Sequence, residues 1–315
     1  MPNVSTICTN AAYRANAAAL ARETVAQHRH HPSVFVWSTS NEVKMRGDAA
    51  KDAAATEIQR ELDAYVRKAD PSRPTALATF KPLQTEYNAI PIAIGFNFYP
   101  GWYRSEADRM KETIDEALAP NPNLKAIAVS EYGAGSTPGQ HESPNVRNAP
   151  RSNFHSEEYA AYVHHLNYRT LAADPRVWGT FVWLMFDFGA DERREGGRYG
   201  LNDKGLVAFD HKTRKEPYWF YRANWRRDEP LLHLVGENMV STTNSSVMVM
   251  AFSTVGDVSL AVNGQNIGTV SPDETMTAVW PSVTLGKGEN HVRIEAAGRK
   301  AEAIWTLRTA QRPEL

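Results

Sequence analysis

The fold can be predicted from the stretch His30-His31-Pro32-Ser33-Val34-Phe35-Val36-Trp37-Ser38-Thr39-Ser40-Asn41-Glu42. Its apolar run is too short for a buried helix. The β-branched and aromatic residues favour a strand from Val34 to Ser38 that is buried on both faces. Glu42 then follows the C-terminal end of this strand, where barrel enzymes carry their catalytic side chains. The alternative is that Glu42 only opens a solvated loop.

A second stretch, Lys125-Ala126-Ile127-Ala128-Val129-Ser130-Glu131-Tyr132-Gly133-Ala134-Gly135, has the same design. A short apolar strand again ends in a glutamate, here Glu131. Two such strands are what a retaining glycosidase needs, because one carboxyl group protonates the leaving oxygen while the other attacks the anomeric carbon, and the two carboxyl groups lie about 5–5.5 Å apart. The pair Glu42 and Glu131 therefore predicts glycoside hydrolysis.

Longer motifs accompany the two glutamates along the chain. They are His31-Pro32-Ser33-Val34, Asn41-Glu42, Ser130-Glu131-Tyr132-Gly133 and residues 178–188, 200–207 and 215–225. In this order they resemble glycoside hydrolase family 2, the family of β-galactosidases and β-glucuronidases. Residues 178–188 are similar to the family's last barrel strand, and the two later segments are similar to the part that closes the barrel in bacterial β-galactosidases.

The composition is that of an ordinary globular protein. The 315 residues are 42% hydrophobic and 23% charged, with a formal net charge of −1. Near-zero charge argues against a nucleic acid or an anionic membrane as partner. A single cysteine, Cys8, excludes an internal disulfide. No signal peptide or membrane-length apolar run is visible.

Strands and helices alternate in the first two thirds of the chain, which is typical of parallel βα units. The predicted strands are Val34–Ser38, Thr75–Thr79, Ile92–Tyr99, the strand before Glu131, and Val177–Phe186, and the predicted helices are 11–28, 49–68, 106–118 and 157–172. Five strands are too few for an eight-stranded barrel. We therefore expect an α/β fold, a partial TIM barrel over residues 1–229 that lacks its first three strands, and a truncated reading frame.

The pattern changes at Pro230. Short runs in which apolar and polar residues partly alternate, separated by Gly, Asn and Pro, predict an all-β immunoglobulin-like sandwich over residues 230–315. Asn263-Gly264 between two runs predicts a type I′ hairpin. The predicted strands are 246–253, 258–262, 265–270, 276–283, 291–296 and 303–307.

The family resemblance assigns roles to the residues of the catalytic centre. It implies that Glu42 is the acid/base, that Glu131 is the nucleophile, and that Asn41 binds the sugar 2-hydroxyl. Tyr99 matches a tyrosine that contacts the nucleophile, with a core tyrosine as the alternative. Glu42 must hold a proton at rest, whereas Glu131 must stay ionised.

Two tryptophans are candidates for sugar stacking. Trp102 and Trp183 are expected to form the floor of the sugar pocket or, alternatively, to pack in the core. His141, His155, His164 and His165 are weaker candidates for sugar contacts. The family's early-strand Arg, His and Asp contacts have no counterpart here. No cofactor is implied. Magnesium binds near the acid/base in some relatives, but no metal ligands can be matched.

Asn202-Asp203-Lys204 leaves two substrate classes open. An Asn-x-Lys at this place resembles the carboxylate clamp of β-glucuronidases, in which Asn202 and Lys204 would pair with a uronate. The same residues occur in galactosidase-like members, and the surrounding segments favour a retaining β-galactosidase. A third alternative is an inactive remnant with weak sugar binding.

The remaining expectations concern the surroundings of the protein. A carbohydrate substrate is expected, with no nucleic-acid or membrane partner. A homo-oligomer and a periplasmic or secreted location are further expectations.

Overall fold

The computed structural model describes residues 8–43, 48–80, 86–120, 124, 126–239, 241–242 and 244–308. The chain forms two compact units that alternate along the sequence. The first unit comprises Met1–Phe98, Lys111–Glu131 and Asp174–Phe181, and the second comprises Tyr99–Met110, Tyr132–Ala173 and Val182–Leu315. No helix among the described residues is long and apolar enough to cross a membrane.

Nearly all of one five-stranded sheet lies in the first unit, with strands in the order β1-β2-β3-β4-β5. The strands are β1 (Trp37–Asn41), β2 (Thr75–Thr79), β3 (Ala93–Asn97), β4 (Ile127–Tyr132) and β5 (Val177–Val182). Helix α1 (Ala11–His28) precedes β1, α2 (Ala49–Ala69) connects β1 to β2, and α3 (Met110–Leu118) lies between β3 and β4, with a 3-10 turn at Glu86–Ala89 between β2 and β3. The strands from β1 to β4 pair in parallel, so the predicted βα alternation is confirmed.

The first two helices form for the reasons seen in the sequence. The side chain of Asn10 accepts hydrogen bonds from the backbone N–H groups of Ala12 and Tyr13 and so begins α1. On α2, the apolar side chains of Ile58, Leu62 and Val66 recur at helical spacing and are buried.

Strand β1 begins three residues later than predicted. Residues before it turn instead of pairing, because the Val34 N–H donates to the His31 carbonyl at 3.2 Å. The Arg73 side chain also donates to the Val34 carbonyl. The ladder begins only where Trp37 pairs with Thr75. The shift places Glu42 immediately after the last residue of the strand.

The sheet is curled. Phe35 lies just before β1 at one edge, yet its ring contacts Trp178 and Phe181 of β5 at the other edge, with ring centroids 6.1 and 6.4 Å apart. Two edge strands of a flat sheet could not come this close. This curvature is the one expected of part of a barrel.

Three predicted elements are shorter than expected. Strand β3 runs from Ala93 to Asn97 and not from Ile92 to Tyr99. Helix α3 begins at Met110 and not at Glu106, since the Arg109 N–H closes a turn on the Glu106 carbonyl at 3.2 Å. Strand β5 ends at Val182 and not at Phe186, because the following backbone pairs with residues 204–207.

The described part of the second unit contains the helices α4 (Glu157–Ala173) and α5 (Glu216–Trp225) and a hairpin that the sequence analysis missed. The hairpin joins β6 (Phe188–Glu195) to β7 (Arg198–Asn202). Its turn residues, Gly196 and Gly197, have φ values of 60° and 74°. This is the Gly-Gly signal of a type I′ turn.

The C-terminal part of the second unit has two sheets, in the orders β13-β10-β8 and β12-β11-β14-β15-β9. Their strands pair antiparallel, except that β15 and β9 pair in parallel. Their strands are β8 (Leu232–Leu234), β9 (Ser241–Thr242), β10 (Ser246–Ser253), β11 (Val258–Val262), β12 (Gln265–Val270), β13 (Thr277–Thr284), β14 (Gly288–Ala296) and β15 (Arg299–Leu307). All six predicted strands are present. Asn263 and Gly264 have φ values of 52° and 79°, which confirms the predicted turn. The boundary between residues 229 and 230 stays a prediction.

Candidate active site

Glu42 leaves the end of β1 in a strained conformation. Its N–H donates to the Ala78 carbonyl of β2 at 2.9 Å, which extends the ladder by one bond. Its φ of 50° is in the left-handed region, which non-glycine residues rarely adopt. Strain of this kind persists where the surroundings enforce it, and it is common at functional sites. The carboxyl group is half-buried, and Asn41 beside it is exposed.

Asn97, the last residue of β3, holds Asn41 and Glu42 together. Its buried side-chain amide donates to Asn41 Oδ1 at 3.0 Å and to Glu42 Oε1 at 2.9 Å. Its own Oδ1 accepts from the Ser130 hydroxyl at 2.7 Å. Because a hydroxyl can donate to the amide oxygen, this bond orients the amide so that Nδ2 faces Glu42.

Gly95 makes room for this arrangement. A Cβ at this position would lie 2.5 Å from Ser130 Oγ and 2.7 Å from Ser130 Cβ. Only glycine therefore lets Ser130 reach Asn97 undisturbed. The sequence analysis missed Asn97, Ser130 and Gly95 as functional residues. The signal was present, because asparagine and glycine are depleted in strands yet interrupt an apolar one here.

Glu131 belongs to the same end of the sheet. On β4 it is the register partner of Asn97, and its carbonyl accepts from the Phe98 N–H at 2.8 Å. Asn97 thus contacts Glu42 through its side chain and pairs with Glu131 through its backbone. The two predicted catalytic glutamates both flank one buried asparagine, as expected for the converging ends of parallel strands.

The predicted aromatic contacts lie in the second unit. Trp102 is fully buried, and it packs edge-to-face on His155 with centroids 4.7 Å apart. Tyr99 is half-buried against Tyr103, at 5.1 Å between ring centroids. Trp183 is half-buried beside Phe188. Their roles in sugar binding stay predictions.

Asn202 and Lys204 are buried, with 2% and 1% of their surfaces exposed. The Asn202 Oδ1 atom accepts from the Lys204 backbone N–H at 3.2 Å, so the two residues form one compact loop. The Lys204 Nζ atom lies over the rings of Trp102 and Tyr103, 5.5 and 5.2 Å from their centroids. It has no hydrogen-bond partner among the described residues, although burial of an unsatisfied ammonium group is costly.

Asp203, between these two residues, anchors the loop. Its carboxylate contacts His155 Nδ1 at 2.5 Å, and its carbonyl accepts from Lys215 Nζ at 2.8 Å. Lys215 also pairs with Asp187 at 2.7 Å, and both side chains are almost fully buried. Burial alone would raise the pKa of Asp203, but the hydrogen bond from His155 and the nearby lysine charges hold it below its usual value. The sequence indicated His155 only as a weak candidate for a sugar contact, whereas here it supports the loop.

A separate group of buried ionisable side chains surrounds the start of α4. Glu157, Glu158 and Glu216 are each less than 10% exposed. Burial, together with the charges of the other two carboxylates, raises the pKa of Glu157 to about 7. His141 Nδ1 lies 2.7 Å from Glu158, and His233 Nε2 lies 2.6 Å from Glu216. No group of three or more metal-ligating side chains occurs in the described part of the chain.

Comparison with known protein families supplies the identification. Residues 1–226 match the family described as "Glycosyl hydrolases family 2, TIM barrel domain". The chain belongs to this family. The resemblance and the fold class predicted from the sequence are therefore confirmed.

The relatives of this family 2 member are named as β-glucuronidases or as β-galactosidases. It is 38% identical to a β-glucuronidase of Bacteroides fragilis over 291 residues, which are 92% of this chain and 41% of the relative. It is 30% identical to the β-glucuronidase of Canis lupus familiaris over 193 residues, which are 57% of this chain and 27% of the relative. A crystal structure described as a putative β-galactosidase from Bacteroides fragilis matches with a TM-score of 0.84 and 26% identity, over 96% of this chain and 45% of that one.

These relatives are much longer than this chain. The family 2 chain spans less than half the length of the relatives it matches.

Proposed function

We propose that the protein hydrolyses terminal β-D-glucuronides with retention of configuration. Glu131 attacks the anomeric carbon and forms a glycosyl ester, while Glu42 gives its proton to the leaving oxygen. Glu42 then takes a proton from the water that cleaves the ester, which restores both carboxyl groups. The support for these roles is that both residues adjoin Asn97 at one end of the sheet.

The observation that carries the choice of substrate is the Lys204 ammonium. It is buried, lacks a hydrogen-bond partner among the described residues, and follows Asn202 in a loop held by Asp203. A buried cation with unused donors is best satisfied by an anion, and a uronate carboxylate is the anion that a sugar substrate can supply. The names of several relatives agree with this substrate class. This proposal replaces the preference for galactosides drawn from the sequence.

A neutral β-galactoside is the second candidate. It is favoured by the galactosidase name of the matching Bacteroides fragilis structure. On this alternative, the Lys204 side chain would serve packing alone.

The two candidates predict different effects of Lys204→Met, which keeps the unbranched side chain up to the position of Cε and removes the charged nitrogen. With nitrophenyl β-glucuronide as substrate, kcat/KM should fall by about 10- to 100-fold, the loss expected for a charge-assisted hydrogen bond. Lys212→Met, at an exposed lysine, is the matched control and should leave kcat/KM unchanged. A wild-type preference for nitrophenyl β-galactoside, unaffected by Lys204→Met, would contradict the proposal.

A further inference from the structure

Among the described residues, a carboxylate of the protein itself lies close to the Lys204 ammonium. Glu195 Oε2 lies 3.7 Å from Lys204 Nζ. Charge-assisted hydrogen bonds between nitrogen and carboxylate oxygen are about 2.7–2.9 Å long. The two groups are thus close enough to attract each other and too far apart to form a hydrogen bond.

Glu195 is held at this distance by Arg193. One guanidinium nitrogen, Nη1, donates to both carboxylate oxygens of Glu195, at 2.9 and 3.2 Å. The same nitrogen contacts the Tyr103 hydroxyl at 3.3 Å. Residues 193 and 195 lie two positions apart on β6, so their side chains point to the same face of the hairpin. The carboxylate oxygens of Glu195 therefore accept hydrogen bonds from Arg193, while the Lys204 ammonium has no acceptor among the described residues.

The backbone that carries Glu195 is fixed as well. Gly196, the next residue, donates its N–H to the Ser152 carbonyl at 2.9 Å, and its carbonyl accepts from the Thr137 hydroxyl at 3.0 Å. A side chain at Gly196 would collide with Thr137 and with the carboxylate of Asp203. The position of Glu195 relative to Lys204 is thus set by packing around the turn.

We propose that Glu195 is a specificity-determining residue, an internal carboxylate that competes with the substrate carboxylate for Lys204 and is restrained by Arg193. The inference rests on the proposed function. In the free protein, Glu195 partly neutralises the buried ammonium. When a uronate arrives, it takes the hydrogen bonds that Arg193 prevents Glu195 from making.

This arrangement predicts effects of opposite sign for two neighbouring residues. Glu195→Gln removes the competing charge but keeps an acceptor for Arg193, so a uronate should bind more tightly. Arg193→Gln releases Glu195 towards Lys204, so a uronate should bind more weakly. In Arg193→Gln/Glu195→Gln there is no carboxylate left to restrain, and binding should match that of Glu195→Gln.

The test is calorimetric titration of each variant with D-glucuronate, with D-glucose as the uncharged probe. Glu195→Gln should lower the Kd of glucuronate by roughly three- to tenfold, and Arg193→Gln should raise it by a similar factor, as expected for partly buried ion pairs. Glu192→Gln is the matched control, because it removes the same charge from an exposed position on β6. Circular dichroism of each variant confirms that the fold is intact.

The possible failures are distinguishable. If wild type binds glucuronate but Glu195→Gln binds it no more tightly, the inference is overturned and the proposed function stands. If the double variant binds more weakly than Glu195→Gln, Arg193 contacts the ligand directly and the restraint is overturned. If wild type binds no glucuronate, both the inference and the proposed function fall.

Discussion

At the scale of the residue, the amide of Asn97 organises the candidate catalytic centre. It takes one hydrogen bond from Ser130 and gives two, to Asn41 and Glu42. An amide whose oxygen already accepts a hydrogen bond can present only its N–H groups to Glu42. The orientation of Glu42 therefore depends on Ser130, the residue before Glu131.

The roles of the two glutamates can be separated by substitution. Glu131→Gln should abolish turnover with every leaving group, because no nucleophile remains. Glu42→Ala should spare dinitrophenyl glycosides, whose leaving groups need little protonation. Added azide should restore turnover in Glu42→Ala alone, as measured by phenol release. The reverse pattern would show that the two roles are exchanged.

The sequence was enough to predict Glu42 and Glu131 as the catalytic pair, because a charged residue at the end of an apolar run is visible in one dimension, and this assignment stays a prediction. It did not suffice for Asn97, whose role depends on reaching across to β1. It also could not show that Asp203 is held by His155, since these residues are far apart in the chain and meet only through packing.

At the scale of the element, β3 is the strand on which the centre is assembled. Gly95 and Asn97 lie two residues apart and so share one face, where Ser130 of β4 fits between them. The bounds of β2 were predicted correctly from its sequence. The start of β1 was not, because Arg73 binds backbone carbonyls of the preceding turn, a contact that no local pattern reveals.

The close approach of Gly95 to Ser130 can be tested by adding a methyl group at position 95 and then removing the side chain at position 130. Gly95→Ala should lower the free energy of unfolding by about 1–3 kcal/mol, since its methyl group would overlap Ser130. Gly95→Ala/Ser130→Gly should recover most of this stability in urea denaturation. Its kcat should stay low, because the hydroxyl donor to Asn97 is absent. Wild-type stability and kcat in Gly95→Ala would refute the close contact.

At the scale of the whole molecule, the charges buried in the second unit make stability depend on pH. Glu157 has a pKa of about 7 in the folded protein against an ordinary value of 4.5. Between these values the native state binds a proton that the unfolded chain does not. The free energy of unfolding should therefore fall as pH rises through this window, by up to about 3 kcal/mol from this group.

Comparison with Glu157→Gln isolates this effect. The difference in free energy of unfolding, wild type minus variant, should decrease from pH 4.5 to pH 7 in urea denaturation. His164 acts in the opposite direction, since burial lowers its pKa to about 3, but both proteins contain it and its effect cancels. Glu289→Gln, at an exposed site on β14, is the control and should give a flat difference. A flat difference for Glu157→Gln would contradict the prediction.

The alternation of the two units along the chain has a consequence for the order of folding. The first unit is complete only when Asp174–Phe181 has been made, because this segment supplies nearly all of the last strand of its sheet. The contact of Phe35 with Trp178 closes a very long loop, and loops of this kind slow folding. During synthesis, the edge of β4 therefore stays unpaired until β5 has been made, and unpaired strand edges favour aggregation.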